Sequence, residues 1–551
     1  MSVLLCHSLK IRVPSPRING RAKLLLPKQC YSHGQLDPLL ATIVGGPQDF
    51  FRYTSGRWLW GEEQQLREKY REFDISGLQK VAVEACSAGP CVRMEKIGEG
   101  SYNESFSLTM ANKMKFIARV PNPNAGPAFI TTASEVATMD FVSDVNENVL
   151  HVPVPKVLAW CSEVDSTNPV GAEYIIMEHA PGKQLALVWP DMGLEHKVRT
   201  MENVVSIQQR LLSMSFSRYG CLYYRKDAPP GSHPAVVSGD NISREQRETI
   251  ADRFSIGPMV HTDFWDKERA DMDIDRGPWS SALEYIRAPA LRGIAWIEKH
   301  AKTVEHDSLS MPSRNLYPPE EHVSVIQRYL PLAPHLLPAD EELLRPFLWH
   351  ADFRTPNIFM GSEGNITSII DWQSSWAAPL FSERRLPKFL EYKGEMILEL
   401  PENFKDLDND GQASIEEQMT KSLILCLYEK HTAERNPILY KMFKYPEGPT
   451  LTAPIQYPGS TWNGDVLILR EALIRELLDR PGKCPLDFSP EEICKHYEDA
   501  DGWNEMQDFW DEIRPVLGRD GWTSHETYDA AKSIFSEYQT SVASEKGGEK
   551  R

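Results

Sequence analysis

The stretch that most constrains this chain is Phe347 to Trp372, read FLWHADFRTPNIFMGSEGNITSIIDW. It sets His350, Asp352 and Asn357 in the pattern H-x-D-x-x-x-x-N and follows them with a turn at Gly361 to Asn365. An apolar strand, Ile366 to Ile370, then ends on Asp371. Transfer of a γ-phosphoryl group needs a carboxylate to orient the attacking hydroxyl and oxygen ligands to hold magnesium on the phosphates. Asp352 suits the first task, and Asn357 and Asp371 suit the second. Magnesium prefers hard oxygens and keeps several waters, so a few protein oxygens and the nucleotide phosphates complete its shell without a Cys or His cage. The step from Asp352 to Asn357 is that of a kinase catalytic loop, and the strand ending in Asp matches the metal-binding triplet, with Asp-Trp-Gln in place of Asp-Phe-Gly.

HADFRTPNIF followed by IIDW resembles the aminoglycoside phosphotransferase and choline kinase type of kinase-like enzymes, which carry His-Gly-Asp-x-x-x-x-Asn and Ile-Asp-Trp. The runs FFRYTSGRW (50–58), ARVPNPNAG (118–126), TTASEVATMDFV (131–142), VPVPKVLAW (152–160) and DIDRGPW (273–279) are similar to a fungal branch named for altered inheritance of mitochondria. The resemblance spans roughly residues 45 to 540. It implies an α+β, two-lobed protein-kinase-like fold, with a small β-rich lobe over 37–180 and a larger α-helical lobe with an insertion over 181–540. It also implies ATP and Mg2+ as cofactors, Asp352 and His350 as catalytic residues, and a hydroxyl of an unidentified small molecule as acceptor. The alternative is a nucleotide-binding pseudokinase acting as a mitochondrial assembly or regulatory factor, motivated by Arg119 and by Asn103 where many kinases have a third Gly.

With 551 residues, 41% of them apolar, the chain can bury a sizeable core and fold as more than one domain. No run approaches the length of apolar residues that a transmembrane helix needs. A net charge of −18 disfavours a nucleic-acid partner, because binding there depends on Lys and Arg releasing counterions. Nine cysteines without C-x-x-C spacing read as scattered thiols, the closest pair being Cys86 and Cys91. Residues 1–36 hold Lys10, Arg12, Arg17, Arg21, Lys23 and Lys28 but no Asp or Glu, with leucines between, which is the composition of a mitochondrial presequence and points to the matrix.

Along the chain, WLWGEEQQLREKY (58–70) reads as a helix and 73–90 has no assignable pattern. CVRMEKI, SFSLTM and KFIARV read as three strands around the loop GEGSYN and the turn Ala111-Asn112. In that loop Gly98, Gly100 and Ser101 would let backbone amides approach phosphates. Alternation along FIAR puts Ile117 and Arg119 on one face, Ile117 over the adenine and Arg119 clamping phosphate where a kinase has Lys. Thr132-Ala133-Ser134-Glu135 matches a capping box, so Glu135 either caps its own helix or pairs with Arg119. The resemblance makes Met177, Glu178 and Ala180 the interlobe hinge, offering backbone groups to the adenine edge.

After Gly182 strands are expected largely to stop. MENVVSIQQRLLSMSF (201–216) reads as an amphipathic helix, and 217–340 as an insertion or substrate cap. His261, Asp263, Asp266, Asp271, Asp273 and Asp275 within it are a solvated acidic loop or a metal or cationic-substrate site; the second would favour an amine-bearing alcohol by long-range attraction. DLDNDGQASIEE (406–417) matches an EF-hand loop pattern, although it is also read as an acidic helix connection. Residues 465–480 read as a helix and 541–551 as a disordered tail.

Overall fold

The computed structural model describes residues 47–143, 150–301, 317–383, 386–446, 448–463, 466–479 and 485–537. The expected presequence (1–36) and the tail (541–551) lie outside the described residues. After a 3-10 turn at Pro47–Phe50 come strand β1 (Arg57–Trp58), helix α1 (Glu62–Lys69) and helix α2 (Ile75–Cys86). The helix expected from Trp58 starts four residues later, because Arg57 and Trp58 pair in a strand with Thr523 and Trp522. The unassigned stretch 73–90 contains α2, whose first turn is capped by Asp74 accepting from the Gly77 amide.

Strands β2 (Cys91–Glu99), β3 (Asn103–Met110) and β4 (Lys115–Pro121) precede helix α3 (Ile130–Val142), followed by β5 (Val157–Cys161) and β6 (Tyr174–Glu178). They form an antiparallel sheet in the order β2-β3-β4-β6-β5. Period-two alternation divides its faces. Phe116, Ala118, Val120 and Ile176 pack with Phe106, Leu108 and α2's Leu78 and Ala82 in one core. Ile175 and Met177, with Ile117 against them, join a second core shared with α3 and the rest of the chain.

Only Ile130 and Asp140 of α3 escape full burial. The expected capping box does not form, because the helix begins at Ile130, before Thr132. Its first turn is served from a distance: Glu173 accepts from the Phe129 amide and from Thr132 Oγ1. That leaves Glu135 free for another partner.

The chain then runs through β7 (Lys183–Gln184), α4 (Leu185–Val188), α5 (Leu194–Leu211), β8 (Ser215–Phe216), β9 (Gly220–Tyr224), β10 (His233–Pro234) and β11 (Val237–Ser238). Next are α6 (Arg244–Arg253), β12 (Phe254–Gly257), α7 (Ala282–His300), α8 (Pro319–Leu332), α9 (Glu341–Leu344), β13 (Pro346–Trp349), β14 (Ile358–Met360), β15 (Ile366–Ile369) and β16 (Trp376–Pro379). Helices α10 (Asn409–Arg435), α11 (Pro437–Phe443), α12 (Gly448–Gln456), α13 (Val466–Asp479) and α14 (Pro490–Ile513) and strand β17 (Trp522–Thr523) complete it.

The fold is α+β and two-lobed, as in protein kinases, but strands do not stop at Gly182. Among the described residues a seven-stranded sheet, β10-β12-β9-β16-β13-β8-β11, runs through the larger lobe. Its strands hold two to five residues each, too short for alternation to declare them. The stretch 217–340 contributes β9 to β12 to this sheet, and β9 pairs with β16, which in turn pairs with the strand that leads into the H-x-D-x-x-x-x-N motif. Helices α7, α8 and α13 enclose a further core around Ile286, Ile326, Tyr329 and Leu473.

Of the two readings of 406–417, the structure shows the helix connection: Asp408 caps α10 by accepting from the Gly411 amide, and 409–417 is helix. A calcium loop needs that segment coiled around the ion. The described cysteines are free thiols, and Cys86 and Cys91 pack against the small-lobe core. No helix among the described residues is long and apolar enough to cross a membrane.

Candidate active site

The hairpin β14–β15 brings Asn357 and Asp371 together from separate stretches of the sequence. Ile358 faces Ile369, so Asn357, just before β14, meets Ile370, whose amide donates to the Asn357 carbonyl at 2.9 Å. Asp371 follows at once, with φ of 65°, a left-handed conformation that Asp tolerates better than most residues and that recurs at functional sites. Asn357 Nδ2 donates to Asp352 twice, to the backbone carbonyl at 2.9 Å and to Oδ2 at 3.0 Å. Both amide hydrogens are thereby committed, and Oδ1 remains as a hard-oxygen donor. Arg354 Nε donates to the same Asp352 Oδ2 at 2.5 Å.

His350, grouped with Asp352 as catalytic in the sequence reading, is a brace behind the loop. It is 2% exposed and lies against Trp372 with ring centroids 4.5 Å apart. Its Nδ1 accepts from the Asp352 amide at 3.1 Å and its Nε2 meets the Ile370 carbonyl at 3.0 Å. One nitrogen must accept and the other donate, which fixes the neutral Nε2–H tautomer. Burial also holds the His350 pKa below the usual histidine value. The ring therefore ties the catalytic loop to the residue before Asp371.

Of the two partners open to Glu135, the structure selects Arg119. The guanidinium Nη2 pairs with Glu135 Oε2, both side chains being under 10% exposed, and Nη1 reaches Asp371 Oδ1 at 3.3 Å. Burial outweighs the guanidinium and pushes the Glu135 carboxyl up to about 7. Gln373, noted in the sequence only as a departure from Asp-Phe-Gly, is the residue that sequence reasoning missed. Its Oε1 accepts from Asn103 Nδ2 at 2.6 Å and Arg119 Nη2 at 3.0 Å, and its Nε2 donates to the Ala125 carbonyl at 2.9 Å. The signal was present: a polar residue directly after Asp-Trp, where Gly would carry no side chain.

The glycine segment is tighter than the loop expected. Gly98 lies in β2 opposite Ser105, and the Gly100 amide donates to the Asn103 carbonyl at 2.8 Å, closing a turn around Ser101 and Tyr102. A Cβ on Gly98 or Gly100 would meet nothing nearer than 3.9 or 3.6 Å, so intramolecular packing does not demand glycine there. The space is open. Around it Arg119 Nε, Asn103 Oδ1, Asn122 Oδ1 and Asn124 Oδ1 are buried without a protein hydrogen-bond partner.

At the far end of β4, Ile117 faces Met177 across the sheet. Glu178 and His179 are exposed and Ala180 is buried as the chain passes into β7, which pairs with β14. Gly182 is required here: its φ is +99° and a Cβ would lie 2.2 Å from the Met360 carbonyl oxygen.

Part of the acidic stretch is engaged from within, while Asp266, Asp271 and Asp273 are exposed. Asp263 lies 3.6 Å from buried Arg292, Asp275 binds the Gly277 amide and Trp279 Nε1, and Arg276 donates to the carbonyls of Phe264, Arg269 and Met272. Among the described residues no group of three or more His, Cys, Asp or Glu is set to hold a metal.

The profile of the phosphotransferase enzyme family (APH) matches residues 93–381, just over half of the chain. A subtelomeric hrmA-associated cluster protein of Aspergillus fumigatus is 29% identical over 486 residues, covering 80% of this chain and 91% of that one. Altered inheritance of mitochondria protein 9, mitochondrial, of Saccharomyces cerevisiae is 24% identical over 562 residues, covering 87% of each. Among solved structures, a putative fructosamine-3-kinase from Thermobifida fusca aligns at a TM-score of 0.35 and 12% identity, over 73% of this chain and all of that one. The chain that folds Asp352, Asn357, Asp371 and Arg119 into one cleft belongs to the phosphotransferase enzyme family.

Proposed function

We propose that this protein is an ATP- and Mg2+-dependent phosphotransferase whose acceptor is a hydroxyl of a small molecule. The observation that carries the reading is the commitment of both Asn357 amide hydrogens to Asp352, which leaves Asn357 Oδ1 uncommitted on a residue whose backbone meets Ile370, the residue before Asp371. Two hard oxygens without a fuller protein cage suit an ion that shares its shell with phosphates and water. Bound there, magnesium would neutralise charge on the β- and γ-phosphates. Arg119, fixed by Glu135, supplies a second cation, and the open space at Gly98 and Gly100 admits phosphate oxygens to backbone amides. Ile117 and Met177 face the adenine, with the backbone of Glu178 and Ala180 at its edge.

Asp352 Oδ2 is occupied by Asn357 and Arg354, so Oδ1 receives the acceptor proton. As the new oxygen–phosphorus bond forms, the bond from the γ-phosphorus to the ADP oxygen breaks, and the proton passes to Asp352. His350 holds the loop and exchanges no proton with substrate. We assign the small lobe to 37–180 and the large lobe to 181–540.

The test is a metabolite-extract screen for ATP-dependent phosphorylation with Asp352→Ala as the blank. Equal product from wild type and variant removes the reading. A second reading, a nucleotide-binding pseudokinase, is favoured by one observation: Arg119 engages Glu135, Asp371 and Gln373 together, a network that spans the place of phosphate and metal. Nucleotide-dependent thermal shift with no turnover across that screen selects it. The acid-free composition of residues 1–36 and the mitochondrial names of the yeast relatives support a mitochondrial location. A reporter whose import survives deletion of residues 1–36 refutes that assignment.

A further inference from the structure

The glycine turn is held from both sides, and only the cleft side, through Asn103 and Gln373, belongs to the site already described. On the outer side Lys69, the last residue of α1, donates from Nζ to the Ser101 carbonyl at 2.9 Å. Lys69 is 6% exposed, and its ammonium lies 5.2 Å from the Tyr53 ring and 5.9 Å from the Trp58 ring. Two aromatic faces hold such a cation in place. In a planar trans peptide the N–H points opposite the carbonyl, so turning the Ser101 carbonyl toward Lys69 sends the Tyr102 N–H the other way.

The strap bearing Lys69 is not free-standing. Glu99, one residue before the turn, accepts from the Thr54 amide at 2.7 Å and from the Ser55 hydroxyl at 2.8 Å. Buried Lys96 pairs with Glu99 and Glu104 beneath. The strap in turn is clasped by the C-terminal segment. Beyond the β1–β17 pairing, Trp58 Nε1 donates to Asp520 at 3.3 Å, Trp522 Nε1 donates to the Tyr53 hydroxyl at 2.9 Å, and Trp60 stacks on Phe535. A chain of contacts thus runs from 520–535 through 53–69 to Ser101.

We infer that Lys69 is a positioning residue, which fixes the Gly98–Tyr102 turn for nucleotide phosphates, and that the C-terminal segment sets its position through the strap. This rests on the nucleotide reading of that turn. In the full-length protein, with a fluorescent ATP analogue and magnesium, Lys69→Met should weaken binding about tenfold, the scale of one charge-assisted hydrogen bond. Amide exchange should quicken across 98–104 while the melting temperature holds. Lys69→Arg should restore most of the affinity, and Asp520→Asn should shift it in the same direction as Lys69→Met by a smaller factor. Unchanged affinity in Lys69→Met, or exchange that rises uniformly over the small lobe, overturns the inference while leaving the phosphotransfer reading intact. Failure of the wild type to bind the analogue at all overturns both.

Discussion

Arg119 and Glu135 sit in the cleft wall with side chains 9% and 2% exposed, whereas Asp371 and Asp352 in the same cleft are 37% and 42% exposed. The first pair is a cation and an anion out of water; the second is two carboxylates largely in it. A buried ion pair is expensive to desolvate and still more expensive to break, so its residues hold geometry. An exposed carboxylate costs the fold little and stays available to a proton or an ion. On the proposed function, the buried pair holds geometry and the exposed pair meets the acceptor and the metal.

The largest effects should fall on the exposed half. Asp352→Asn and Asp371→Asn should each lower turnover roughly a thousandfold, within the range of a lost general base or metal ligand, with a melting temperature near that of the wild type. A variant that unfolds with its activity would blur the contrast. On the buried half, Arg119→Met should cost about 3–5 kcal/mol in denaturant unfolding measured well above pH 7, where Glu135 would otherwise be ionised and is left without its buried partner, and less at lower pH where the carboxyl takes a proton. The double variant with Glu135→Leu should recover much of that loss; no recovery would mean that Arg119 stabilises chiefly through Asp371 and Gln373.

Gln373→Ala tests the hinge between the halves. It removes partners from Asn103, Arg119 and Ala125 and should cost about 1–3 kcal/mol while raising KM for ATP more than it lowers kcat. The pH response sharpens the same point. The Glu135 carboxyl titrates at about 7 in the fold against an ordinary value of 4.5, so between those pH values the folded chain holds the extra proton. Its contribution to stability is complete below pH 4.5 and is lost as pH rises to about 7. Melting curves should therefore show wild type losing ground to Glu135→Gln across that window, with a constant difference above it. The smallest expected effect is none: Glu417→Gln, in the helix that replaces the calcium loop, should leave calorimetric titration with calcium flat.

Legibility differed between the lobes for a physical reason. In the small lobe, β2, β3 and β4 are consecutive and joined by short turns, so alternation and turn residues sufficed to place them. In the large lobe, β13 lies between β8 and β16, partners distant in sequence, and each strand is too short to announce itself. Glu135 shows the same limit at one residue. Its local pattern left a cap and a pairing with Arg119 equally open, and Glu173, nearly forty residues on, served the helix start and left the carboxylate to Arg119.

What the sequence determined by itself was chemistry that depends on residue type at short spacing. Asp352 and Asn357 are five residues apart on one loop, Asp371 ends the strand after the turn, and Ile117 and Arg119 share a face because strands alternate. What the tertiary structure alone decided was partnership. Gln373 joining Asn103 to Arg119, His350 turned inward as a brace, and Lys69 holding Ser101 from a strap closed by the far C-terminus are contacts between segments whose proximity depends on how the whole chain packs. Local sequence sets which groups a segment offers, and long-range burial decides which of them meet.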